Sequence, residues 1–343
     1  MTGDLRRYAG ANARVRGLLV SLLGRAGLEA LYSYPTRAAI IDVLRRTGYG
    51  AAMRGELQSD ADVRRRLIAV GEAVLGMLAG AEALFVKQYL LRHEVENLKL
   101  IIRAVYRGVA WEQIAAHILP LKAIGTIEPE DLASAPDLHE LVTRLAGTPY
   151  HAVLTAALRR LDDVGPFALE VAVELDYYDR LWSATEALRA TDTVWGQRLL
   201  GILFDILNLG YIARYRDVLA LAPEEIPNYT LRQGRWLTPE LRRALAARSD
   251  GGWDTVLAGT PYAPLFAGPA VAHGFEAACP GLWRVLAGEV QRALRVYPFH
   301  IGVPLGFLLA QEIEIRDLQI LLAAKSLGCA AGEALECVAT VRH

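Results

Sequence analysis

The run His93-Glu94-x-x-Asn97 comes close to a zinc-hydrolase helix. In that motif two histidines four residues apart face one way and hold the metal, while the glutamate works on its bound water. Here Asn97 stands where the second histidine belongs, and a carboxamide is a poor zinc ligand, so the site lacks a member. Asp162-Asp163 suggests the aspartate-rich magnesium motif of helical terpene synthases, but Val164-Gly165-Pro166 follow and bring no further carboxylate. Magnesium held through phosphates asks for several converging oxygens. Neither a Gly-x4-Gly-Lys-Ser/Thr loop nor a Rossmann glycine fingerprint occurs. The histidines are scattered; His151 follows a turn and His300 sits in a Pro/Gly stretch, where each reads as a local hydrogen-bonding group. The short runs Arg64-Arg65-Arg66, Arg159-Arg160 and Arg242-Arg243 read as solvated helix faces, with contact to an acidic partner or to lipid head groups as the other reading. The sequence thus predicts no catalytic residue, no metal ligand and no cofactor.

The elements that carry these residues are helices. Ala, Leu, Arg and Glu dominate, all good helix formers, and apolar residues recur at three- and four-residue spacing. Leu91, Val95, Leu98, Ile101, Ile102 and Val105, for example, fall on one stripe. Loops are marked by Pro and Gly at 125–129, 147–149, 223–239 and 259–264. The 343 residues, 53% of them apolar, suffice for two or three domains. Lys and Arg total 37 against 38 Asp and Glu, a balance that argues against nucleic acid as a partner. Three cysteines without CxxC spacing predict reduced thiols in a cytosolic compartment. Mean hydropathy is positive, yet Glu72 and Glu82 interrupt the window 67–86, and Pro298, His300 and Pro304 interrupt the shorter 296–311. Neither offers the roughly 18 uninterrupted apolar residues of a membrane span.

Three markers repeat in one order. An acidic residue, two others, a carboxamide or carboxylate and then Leu occur as Glu94-x-x-Asn97-Leu98, Asp205-x-x-Asn208-Leu209 and Glu314-x-x-Asp317-Leu318, 111 and 109 residues apart. Thr-x-Tyr after a leucine-rich helix end occurs at Thr148-Pro149-Tyr150 and Thr260-Pro261-Tyr262, 112 residues apart, with a looser copy at Thr47-Gly48-Tyr49. A glycine leading to Pro-Glu occurs at Gly125 to Glu130 and Gly234 to Glu240, the prolines 110 apart. The common offset predicts an all-α chain of three similar helical subdomains, 1–120, 121–230 and 231–343, in a pseudo-threefold arrangement. Thr238 is placed to cap a helix that Pro239 and Glu240 begin. Residues i and i+3 of the acidic marker share a helix face beside the apolar stripe, so the polar pair must find partners, and the Tyr hydroxyl of the Thr-x-Tyr turn is one candidate. Tyr150 and Tyr262, following equivalent turns, are expected to lock each subdomain.

The chain resembles the C-subunit family of V/A-type ATP synthases, to which the d subunit of the eukaryotic V-ATPase is similar. The resemblance rests on the opening Tyr8 to Arg16, on Leu91-Arg92-His93-Glu94-Val95-Glu96-Asn97-Leu98, and on Pro298 to Gly306 continuing through Glu312 to Leu318. It covers nearly the whole chain, and the order and spacing of these stretches carry it. It implies a funnel of three helical subdomains, one end receiving the rotor shaft and the other seated on the cytoplasmic face of the membrane proteolipid ring. It implies torque transfer between the two, and no nucleotide binding or ion translocation by the chain itself. The alternatives are an all-helical scaffold of another assembly and a terpene-synthase-like enzyme. One departure stands out: Asp317 replaces the Asn of the other two copies, so the third subdomain is expected to meet its neighbours differently.

Overall fold

The computed structural model describes residues 2–52, 60–121, 123–248, 252–267 and 274–340. All regular structure among them is helical. The long helices are Thr2–Leu19, Asp60–Leu75, Gly80–Leu90, Arg92–Arg107, Phe167–Glu186, Ala190–Asp217, Gly274–Arg295 and Gly302–Leu327. Short helices and 3-10 turns join them. Among the described residues no helix is long and apolar enough to cross a membrane.

The three acidic markers lie on Arg92–Arg107, Ala190–Asp217 and Gly302–Leu327, called the marker helices below. The stripe expected on the first is its buried face: Val95, Leu98, Ile101 and Ile102 are buried. The first and third marker helices end on glycines with positive φ, Gly108 and Gly328, whose missing Cβ permits the left-handed closing residue. The start of the helix Pro239–Ala247 follows the reading of its sequence. Thr238 is extended, its hydroxyl accepts from the Leu241 N–H at 3.4 Å, and Pro239 opens the first turn, where it has no lost hydrogen bond to make good.

Contacts divide the chain into two compact units, residues 55–184 in one and residues 1–54 with 185–343 in the other. The first unit holds the first marker helix; the second holds the other two together with the start of the chain.

Candidate functional site: three clasped carboxylates

Each Thr-x-Tyr turn is built alike. The threonine hydroxyl donates to a leucine carbonyl three residues back and accepts from the tyrosine N–H two residues on. The distances are 2.6 and 3.2 Å at Thr47, 2.7 and 3.3 Å at Thr148, and 2.8 and 3.2 Å at Thr260. This local turn ends the preceding helix and throws the tyrosine ring into the core. Tyr49, Tyr150 and Tyr262 are all fully buried.

Each ring reaches one acidic marker. Tyr150 donates its hydroxyl to Glu94 Oε1 at 2.8 Å and Tyr262 to Asp205 Oδ2 at 3.0 Å. Tyr49 donates to Glu314 Oε1 at 2.6 Å, and Gln311 Nε2 donates to the Tyr49 hydroxyl at 2.9 Å. Backbone N–H groups of a preceding loop complete the clasp. Glu94 takes the N–H and the hydroxyl of Thr126. Asp205 takes the N–H groups of Arg235, Trp236 and Leu237 at 3.1, 2.8 and 3.2 Å. Glu314 takes the N–H of Gly24 at 2.9 Å. The tyrosine follows its loop donor by nearly the same interval every time: Thr126 to Tyr150, Trp236 to Tyr262, Gly24 to Tyr49.

The third closure runs across the whole chain. Glu314 and Tyr49 are 265 residues apart, and Glu314 and Gly24 are 290 apart. Further bonds join the same two stretches: Arg25 to the Leu335 carbonyl, the Tyr32 hydroxyl to the Cys329 carbonyl at 2.8 Å, and Lys325 to the Tyr32 carbonyl at 2.8 Å. The clasps at Glu94 and Asp205 join residues on opposite sides of positions 120/121 and 230/231.

The residue three places on secures a second loop. Asn97 bonds both backbone groups of Leu119, its amide to the carbonyl at 2.8 Å and its oxygen to the N–H at 3.0 Å. Asn208 does the same to Leu231 at 3.1 and 2.7 Å. Asp317 has no N–H to give, so the carbonyl half of this pairing is impossible. It instead accepts from the N–H groups of Ala339 and Thr340 and from the Thr340 hydroxyl. The departure noted in the sequence is thus a change from an amide–peptide pair to an all-donor cradle at the equivalent loop.

Glycine lets two loops close on their carboxylates. A Cβ on Gly125 would lie 2.7 Å from Glu94 Oε2, and one on Gly234 would collide with Asp205 Oδ1. Gly234→Ala is expected to cost about 1–3 kcal/mol, the usual range for overpacking a tight site. Gly288→Ala, on a helix with nothing within 4 Å of the added carbon, is expected to be neutral or to gain about 0.5–1 kcal/mol. Urea midpoints of the two variants check both.

Burial raises the Asp205 carboxyl to about 6, against the pull of its backbone and tyrosine donors. His300 moves the other way. It stacks on Trp195 at 4.8 Å, its Nδ1 accepts from Gly302 N–H at 3.0 Å, and burial lowers it to about 4. These shifts give opposite pH dependences. Between about pH 4 and 6 the folded chain holds the Asp205 proton more tightly than the unfolded chain. Its contribution is therefore fully present below pH 4 and lost as pH rises through 6, by about 3 kcal/mol at 1.36 kcal/mol per pH unit. For His300 the unfolded chain binds the proton more tightly, so stability is lost as pH falls from 6.5 toward 4. Measured against Asp205→Asn, the wild-type chain is expected to gain stability on acidification from pH 7 to pH 4.5. Measured against His300→Gln it is expected to lose it. Urea unfolding at the two pH values gives both differences.

Among the described residues no group of three His, Cys, Asp or Glu gathers to hold a metal. Glu94 and Asn97 of the near-zinc motif are both spent on clasps. Asp162 and Asp163 lie exposed on a one-turn helix. Sequence reasoning missed Gly24 and Gln311, since neither precedes a Pro-Glu pair or belongs to a marker, and it missed Thr340. It also missed Asp192, a buried carboxylate that accepts from the Ile301 N–H at 2.7 Å and so fixes the start of the third marker helix. Asp192 lies outside the three markers, although the buried Glu82 stands 110 residues before it, close to their common offset.

The family model of the ATP synthase (C/AC39) subunit matches residues 11–335. The chain belongs to this family. It is similar to the A-type ATP synthase C subunit of Methanocaldococcus jannaschii, 24% identical over 341 residues that cover 95% of this chain and 84% of the relative. The A-type C subunit of Methanothermobacter thermautotrophicus is 25% identical over 332 residues, covering 94% and 85%. The V-type ATP synthase C subunit of Deinococcus radiodurans is 28% identical over 214 residues, covering 59% and 58%. The chain is accordingly a non-catalytic subunit of a rotary A/V-type ATP synthase and not an enzyme. The terpene-synthase-like reading and the reading as a scaffold of another assembly give way to this match.

Proposed function

We propose that this chain couples the rotor shaft to the membrane proteolipid ring, carrying torque between them, and sits peripherally on the cytoplasmic side. The observation that supports this most is the triple clasp. Three buried carboxylates and three tyrosines hold helices and loops together, in a chain whose family belongs to a rotary machine. Close-packed helices tied by buried charge-assisted hydrogen bonds transmit strain rather than absorb it. We read the clasps as marking three equivalent units, the third assembled from the last marker helix and the first 50 or so residues. On this reading the boundaries between units would not fall at 120/121 and 230/231, since the Glu94–Tyr150 and Asp205–Tyr262 clasps span those positions.

The test is a reconstituted complex with and without this protein, with ATP hydrolysis and ion pumping scored separately. Hydrolysis by the soluble head is expected to persist without it while pumping is lost. Full pumping in its absence would refute the coupling role.

A further inference from the structure

The first marker helix carries a feature that neither the clasps nor the coupling role uses. Glu96, Asn97 and Arg103 lie along one side of it and line a cleft of about 240 Å³. Arg64 lines the same cleft from the helix Asp60–Leu75. His117 and Leu119 close it from the loop beyond the first marker helix. The Asn97–Leu119 pair, two hydrogen bonds to one residue's backbone, fixes that loop and so holds His117 beside the arginines.

Among the residues that line the cleft, two arginines stand against one carboxylate. That carboxylate, Glu96, is bound at 3.1 Å by Lys99, which is shared with Glu174 at 3.1 Å. Arg103 is shared with Glu170 at 3.1 Å. Arg64 Nε is buried and has no hydrogen-bond partner among the described residues. A buried guanidinium nitrogen without an acceptor is costly, and its planar fork matches an oxyanion. The neighbouring imidazole of His93 reports the same positive field: burial first, and then Arg92 and Arg64, hold it well below its usual pKa. The cleft is smaller than the roughly 300–1,000 Å³ pockets that take drug-sized ligands, so it suits a single phosphate group and not a nucleotide.

We propose that Arg64, Arg103 and His117 form a binding site for one phosphate group, with Arg64 as its main anchor. The group could come from free inorganic phosphate or from an anionic phospholipid head; the chemistry of recognition is the same. Glu170 competes with the ligand for Arg103, which gives the proposal a variant that should improve binding.

The full-length chain is titrated with inorganic phosphate by calorimetry at low ionic strength. It is also floated with phosphatidylcholine vesicles with and without phosphatidate. Wild-type chain is expected to bind phosphate, phosphatidate vesicles or both. Arg64→Gln is expected to weaken that binding about tenfold, the loss of one charge-assisted bond. Glu170→Gln is expected to tighten it severalfold by freeing Arg103, a gain that misfolding cannot produce. Phosphate bound without vesicle binding assigns the site to the free anion; vesicle binding that depends on Arg64 assigns it to the lipid head. Binding to neither probe, or equal binding by wild type and both variants with unchanged melting temperatures, would overturn the proposal.

Discussion

Asp205→Ala is expected to destabilise the chain by about 4 kcal/mol or more, since removing one member of a buried charged network leaves the rest unpaired. Asp205 is fully buried and accepts from three consecutive N–H groups, those of Arg235, Trp236 and Leu237, and from the Tyr262 hydroxyl. Each of these donors, left without an acceptor away from water, costs about 1–3 kcal/mol. The losses do not simply add, because the loop can relax once the carboxylate is gone. Trp236 packs edge-on to Tyr262 at 5.5 Å, so relaxation of the loop also disturbs the ring that the clasp holds. The expected result is a large fall in the urea midpoint and failure to assemble into the complex. A change below about 1 kcal/mol would mean the clasp contributes little.

Glu314→Ala is expected to act with similar size but a different signature. Its carboxylate ties Gly24 and Tyr49 to the third marker helix, so its loss frees the start of the chain from the end. Bonds from Arg25, Tyr32 and Lys325 remain and limit the damage to partial detachment. Limited proteolysis is expected to cut within residues 24–52 well before the clasp at Glu94 is touched. Cleavage spread evenly along the chain, or no new cleavage at all, would contradict this.

Much of this was legible in the sequence, and the physics explains which part. A helix-borne i, i+3 pair is local, so Glu94/Asn97, Asp205/Asn208 and Glu314/Asp317 could be found by spacing alone. The Thr-x-Tyr turn is local too, and the need of a buried carboxylate for a donor pointed to its tyrosine. Which tyrosine serves which carboxylate is a tertiary fact set by the path of the chain. Reading in order places Tyr49 beside Glu94 in one unit, whereas Tyr49 closes on Glu314. Gly24 was invisible for the same reason: its role depends on a carboxylate 290 residues away. Asp317 could be seen as an exception, but its donors, the N–H groups of Ala339 and Thr340 and the Thr340 hydroxyl, are tertiary facts.

One measurement tests directly which tyrosine serves which carboxylate. Hydrogen exchange followed by mass spectrometry is compared for wild type, Tyr49→Phe and Tyr150→Phe. Each variant removes one hydroxyl donated to a buried carboxylate, worth about 1.5–3 kcal/mol, while leaving the ring in place. Tyr49→Phe is expected to raise exchange around Gly24 and in the helix Gly302–Leu327 and to leave Arg92–Arg107 unchanged. Tyr150→Phe is expected to raise exchange in Arg92–Arg107 and at the Thr126 loop and to leave Gly302–Leu327 unchanged. Faster exchange around Glu94 in Tyr49→Phe, with Gly302–Leu327 still protected, would contradict this pairing.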